Sequence, residues 1–98
     1  MIRVILPLHL QTLAGCPREV QVNAGDVVSQ RTVLDALEER FPMLRGTIRD
    51  HETLDRRPRV RFFVETKDVS NMDPAIDLPD SIKEGREPFR IVGAVAGG

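Results

Sequence analysis

The sequence predicts an α+β domain in which one main helix lies across one face of a mixed sheet of four to five strands. Three observations lead there. Four short stretches alternate apolar and polar residues with the period of a strand, one stretch repeats apolar residues with the period of a helix, and no second apolar helix is offered as its partner. A lone amphipathic helix must bury its stripe against a sheet.

The first strand is read from Ile2, Val4 and Leu6, alternating with Arg3 and Ile5. Pro7 ends easy ladder pairing, and Leu8 to Ala14 is expected to be a connection, closed by Gly15 and the Cys16-Pro17 pair. Glu19-Val20-Gln21-Val22 alternates again, giving a second strand and a hairpin, and Asn23-Ala24-Gly25-Asp26 is turn chemistry. Thr32 then has the chemistry of an N-cap, with Asp35 as its capping-box partner. Val33, Leu37 and Phe41 recur at i, i+4 and i+8, a helix of about three turns that Pro42 stops. Leu44 and Ile48 continue as a loose turn into the charged stretch Arg49 to Arg57. Val60, Phe62 and Val64 form the third strand, Glu65 to Gly85 reads as irregular with a short turn near Ser81–Glu84, and Phe89 to Val92 is the last strand. The division expected is a domain over 1–92 and an extended, flexible C-terminal tail over 93–98.

Composition narrows the function classes. Ninety-eight residues support one domain with a single modest core. A 41% hydrophobic and 30% charged chain is globular rather than disordered. Its net charge of −1, with no Tyr or Trp, argues against nucleic acid, and no apolar run is long enough to span a bilayer. The N-terminus lacks a secretory signal's charged lead and cleavage site, so a cytoplasmic protein is expected. Cys16 is the single cysteine, and neither it nor His9 and His51 falls into a metal-binding spacing, so no metal is expected. A Cys16–His9 nucleophile pair is the weaker reading against a passive loop cysteine. Nucleotide-binding glycine motifs are absent. Arg56-Arg57-Pro58-Arg59-Val60-Arg61 is locally basic and suits an acidic partner or a solvated strand edge.

Two features point to function directly. The chain closes on Gly93-Ala94-Val95-Ala96-Gly97-Gly98. Paired glycines without Cβ atoms thread narrow channels and leave the terminal carboxylate sterically open, so the reacting group is the C-terminal carbonyl itself. Phe63 faces away from Val60, Phe62 and Val64, which puts an aromatic on the helix-free face as a candidate interface anchor.

These pieces together resemble the MoaD/ThiS family of β-grasp, ubiquitin-like sulfur carriers. The likeness rests on Leu8…Leu13-Ala14-Gly15 after the first strand, on Thr32-Val33-Leu34-Asp35-Ala36-Leu37 with the Phe41-Pro42-Met43-Leu44 exit, and most specifically on Val92 to Gly98. The resemblance implies a β-grasp fold and a carrier rather than an enzyme. An E1-like enzyme would use ATP to adenylate the Gly98 carboxylate, and a sulfur donor, a persulfide or sulfurtransferase, would convert it to a thiocarboxylate. Gly93, Ala94, Val95, Ala96 and Gly97 would lie in the partner's channel. No cofactor would be bound by the chain itself, and an acceptor synthase subunit would take the sulfur for molybdopterin, thiamin thiazole, cysteine or tRNA thiolation. The alternatives are a protein modifier joined through Gly98 to a lysine, or an interaction module working through Phe63. The chain departs from the family at Val64 to Asp68, at Glu84-Gly85-Arg86, and at Gly93, where many members carry proline.

Overall fold

The computed structural model describes residues 1–93. Five strands form one sheet in the order β2-β1-β5-β3-β4. Strand β1 (Ile2–Ile5) turns back antiparallel onto β2 (Glu19–Val22), and β5 (Phe89–Gly93) runs parallel to β1 in the centre. On its other side β5 pairs antiparallel with β3 (Val60–Val64), which carries the two-residue edge strand β4 (Lys67–Asp68). The parallel β1–β5 pair makes the sheet mixed, as expected, and β5 has a neighbour on both sides.

Helix α2 (Gln30–Arg40) covers one face, burying Val33, Leu34 and Leu37. Beneath it lie Val4, Val20, Val22, Phe62, Phe89 and Ile91, with the Phe62 and Phe89 rings 5.4 Å apart at their centroids. Val4 and Phe62 lie on the strand faces that the alternation set apart in the sequence. Leu44 and Ile48 close the end of this core, both fully buried, on a 3-10 turn over Pro42–Leu44 and the loop that follows it.

Four expectations need correction. Leu8–Ala14 is not a connection but a helix, α1, entered from Pro7 and ended by Gly15 in the left-handed region at φ 63°. The Cys16 N–H reaches back to the Gln11 carbonyl at 3.1 Å, closing a helix end that glycine makes easy. Second, Thr32 does not cap α2; Ser29 does. The Ser29 hydroxyl accepts from the Thr32 N–H at 3.2 Å while the Thr32 hydroxyl accepts from the Ser29 N–H at 2.9 Å, so the box begins three residues earlier and Asp35 is left for another partner. Replacing Ser29 with alanine is expected to cost about 1 kcal/mol in urea-induced unfolding.

Third, the stretch 65–85 is not wholly irregular. A tight turn with Glu65 at φ 58° leads into β4, and α3 (Asp80–Lys83) buries Ile82 completely. The Ser81 hydroxyl donates to Glu65 at 2.8 Å, tying this helix to the hairpin tip. Inside, the Gln30 amide donates to the Val69 carbonyl at 2.8 Å, and the Leu78 N–H to that of Val28 at 2.8 Å. Fourth, the last strand takes in Gly93, which pairs with Val60, so strand structure includes a residue expected to belong to the tail. No helix among the described residues is long and apolar enough to cross a membrane.

Candidate functional site at the end of the central strand

Strand β5 lies between β1 and β3: β1 pairs with its start, at Phe89 and Arg90, and β3 runs beside it as far as Gly93. Among the described residues, Val60↔Gly93 is the last rung of the β3–β5 ladder. The candidate residues Ala94, Val95, Ala96, Gly97 and Gly98 lie outside the described residues. Gly93 is the expected tail residue that the structure describes, and it lies at the rim of the sheet.

A Cβ at position 93 would fall 2.5 Å from Cε1 of His9 and 3.1 Å from Nε2, so a side chain there would push the exposed imidazole aside. His9 projects from α1, so the helix missed in the sequence brings its imidazole next to Gly93. Around this contact lies a shallow pocket of about 330 Å³ lined by His9, Thr47, Arg57, Pro58, Arg59 and Gly93, with Val60 beneath. His9, Arg57 and Arg59 are exposed.

The basic run Arg56 to Arg61 is divided by the fold rather than presented as one patch. Arg56 is turned inward, donating to the carbonyls of Val60 at 2.8 Å and Ser70 at 3.1 Å and to the Asn71 side chain at 3.0 Å. Arg61 forks onto Asp68, at 2.8 and 3.0 Å. Arg57 donates one bond, to the Gly46 carbonyl at 2.8 Å. The part facing solvent beside Gly93 is therefore Arg57 and Arg59.

Phe63 lies on the helix-free face, as the alternation requires, since Phe62 occupies the core. It is half-buried, between Asp68 on one side and Arg90 on the other in the strand register. Ile5 shares this face by register, opposite Arg90, and is buried, while Val92 is 45% exposed. Ile5 was missed as a member of this surface because alternation alone assigns it to the polar side. The apolar strip is bordered by two ion pairs, Arg3–Glu19 at 2.9 Å and Arg61–Asp68.

Asp68 is the most strongly tuned group of this face. The Ser70 hydroxyl and the Ser70 N–H both donate to it, with Arg61 beside them, and its carboxyl is held down at about 2 from an ordinary 3.8. Ser70 in turn accepts from the Phe62 N–H at 2.8 Å, joining β4 to β3. A folded-state value below the unfolded one stabilises the domain above the ordinary carboxylate range and is lost as pH falls through it toward the folded value. Asp68→Asn is therefore expected to lower the melting temperature at neutral pH, and the gap to the parent should close between about pH 4 and pH 2. Thermal melts across that range check it.

The other chemistry-bearing side chains do not converge. Cys16 is half-buried against the core, whereas His9 rests on Gly93. His51 is exposed next to Glu52 at 3.7 Å. Among the described residues no group of three or more His, Cys, Asp or Glu is placed to hold a metal ion.

No protein-family model and no curated protein sequence matches the chain. Solved structures do. SAMP1 from Haloferax volcanii superposes with a TM-score of 0.76 at 18% identity, over 98% of this chain and 97% of that one. The BexX/CysO complex of Amycolatopsis orientalis holds a chain matching at TM-score 0.76 and 21% identity, over the full length of both. A second structure of the H. volcanii protein, described as small archaeal modifier protein 1, gives 0.67 at 18% identity over 95% of each chain. At these identities the likeness establishes the fold, which is the β-grasp fold.

Proposed function

We propose that this chain is a sulfur carrier whose Gly98 carboxylate is the group that reacts. The observation that supports the reading best is the placement of the last strand: β5 is central in the sheet, paired with β3 as far as Gly93, and the sequence beyond it is five small residues ending in Gly97-Gly98. Full-length superposition on small proteins, one of them called a modifier and another seen in complex with a partner named BexX, supports a carrier or modifier in place of a catalyst.

A free carboxylate resists nucleophilic attack because its leaving group would be oxide. An E1-like enzyme overcomes this with ATP: a carboxylate oxygen attacks the α-phosphorus, pyrophosphate leaves, and an acyl-adenylate results. Hydrosulfide, delivered by a sulfur-donating enzyme, then attacks the acyl carbon; the carbon–oxygen bond to AMP breaks, and a thiocarboxylate remains. Positioning belongs to the partner, whose channel must accept the narrow tail. Phe63, with Val92, supplies the apolar surface on which such a partner would rest. An acceptor synthase subunit would then take the sulfur, in a molybdopterin, thiazole, cysteine or tRNA thiolation pathway.

Incubating the purified chain with an E1-like enzyme, ATP and hydrosulfide should replace one terminal oxygen with sulfur by intact mass. The second reading, conjugation through Gly98 to a target lysine, is favoured by the modifier among the structural neighbours. It would give higher-mass species with an isopeptide bond at Gly98.

A further inference from the structure

We propose that the basic pocket beside Gly93 is an electrostatic docking site for an acidic, carboxylate-bearing segment of the adenylating enzyme that receives the C-terminus. The proposal rests on the carrier reading and names the surface that brings the partner to the tail.

The pocket's charge is one-sided. His9, Arg57 and Arg59 line it, and no carboxylate does so among the described residues. Five other cations of the fold have carboxylate partners: Arg3 with Glu19, Arg49 with Asp35 and Glu38, Arg61 with Asp68, Lys83 with Asp77, and Arg86 with Glu84. Arg57 spends one donor on the Gly46 carbonyl and keeps the rest of its guanidinium at the surface. Arg59 makes no side-chain hydrogen bond among the described residues and is exposed one residue before β3. Pro58, between them, fixes the backbone that spaces the two guanidiniums.

The pocket also has the right position. Its inner wall is Gly93 itself, the residue from which the reactive segment continues, and its floor is Val60, the partner of Gly93 in the ladder. With no Cβ at Gly93, the His9 ring settles against the strand and the space beside it stays open. An acidic loop seated here would hold the enzyme within five residues of Gly98. Guanidiniums favour carboxylates because their planar forks match two oxygens at once. Charges at such a rim act chiefly on encounter, so they change association rate and its salt dependence more than the chemistry that follows.

The test measures ATP-dependent pyrophosphate release by the E1-like adenylating enzyme from the chain's own organism, with this chain as the varied substrate. Arg57→Glu/Arg59→Glu is compared with the parent, with Arg59→Glu alone, and with Arg31→Glu as an exposed charge reversal elsewhere. Thermal melts confirm folding, and Arg59→Glu guards against an effect of losing the Gly46 bond. The expected result is a KM raised roughly tenfold or more in the double variant, with kcat unchanged and the gap narrowing as salt rises. Arg59→Glu should move KM the same way by a smaller factor, and Arg31→Glu should not. A double variant with the parent's KM and salt dependence, while the parent is adenylated normally, overturns the docking site alone. A parent chain that is never adenylated removes the carrier reading and this proposal with it.

Discussion

Arg49→Met is expected to destabilise the domain by about 3–5 kcal/mol, the largest effect of any charged residue in the fold. Arg49 is 4% exposed. Its Nε donates to Glu38 at 2.8 Å, and its terminal nitrogen reaches Asp35, so it clamps the loop after α2 onto the helix. Burial pulls its pKa down, yet the hydrogen bonds to Glu38 and Asp35 outweigh that and leave it above its ordinary value. Methionine fills similar space but strands Glu38, itself buried, as an uncompensated carboxylate. Asp35 is half-exposed and can return to water. The double variant Arg49→Met/Glu38→Leu should therefore recover most of the loss, because the stranded charge goes with the pair. Urea unfolding of the three proteins decides it. A single variant within about 1 kcal/mol of the parent would mean that water, not Arg49, solvates Glu38.

The second large effect falls on function and leaves stability alone. Gly97→Val is expected to cut adenylation by at least about a hundredfold in kcat/KM, since misplacing a reacting group by an ångström has that scale of effect. The branched side chain widens a lead that must enter the partner's channel and restricts the backbone angles open to glycine. Unfolding free energy should stay within about 0.5 kcal/mol, as position 97 lies four residues past the end of β5. A variant that is adenylated normally would show that the channel does not select for glycine.

Strand content was readable because period-two alternation carries both the element and its buried face: Val4, Val20, Val22, Phe62, Val64, Phe89 and Ile91 all reach the core. Helix α1 was missed for a local reason. It has seven residues, and only Leu10 is buried, with Leu8 and Leu13 exposed, so no apolar stripe marks it. The signal present was punctuation, a proline before the run and a glycine after it. Ser29 was passed over because Thr32, which also belongs to the capping box, stands closer to the apolar stripe. Arg49 sits in a stretch that reads as a solvated charge run, and burial of a charge depends on partners eleven and fourteen residues away. The same limit hid the basic pocket: His9, Arg57 and Gly93 meet only because β1, β5 and β3 are adjacent in the sheet. Gly97-Gly98, by contrast, was legible from chemistry alone, as a carboxylate stripped of steric cover.

The central expectation is that Gly98 carries sulfur. Intact-mass spectrometry of the protein isolated from its own cells, with fragmentation to locate the change, tests it most directly. The predicted result is a population in which one oxygen is replaced by sulfur, confined to the Gly98 carboxyl and absent from a strain lacking the adenylating enzyme. A protein that stays wholly a carboxylate at Gly98, in cells and after incubation with a competent E1-like enzyme, ATP and hydrosulfide, would contradict it.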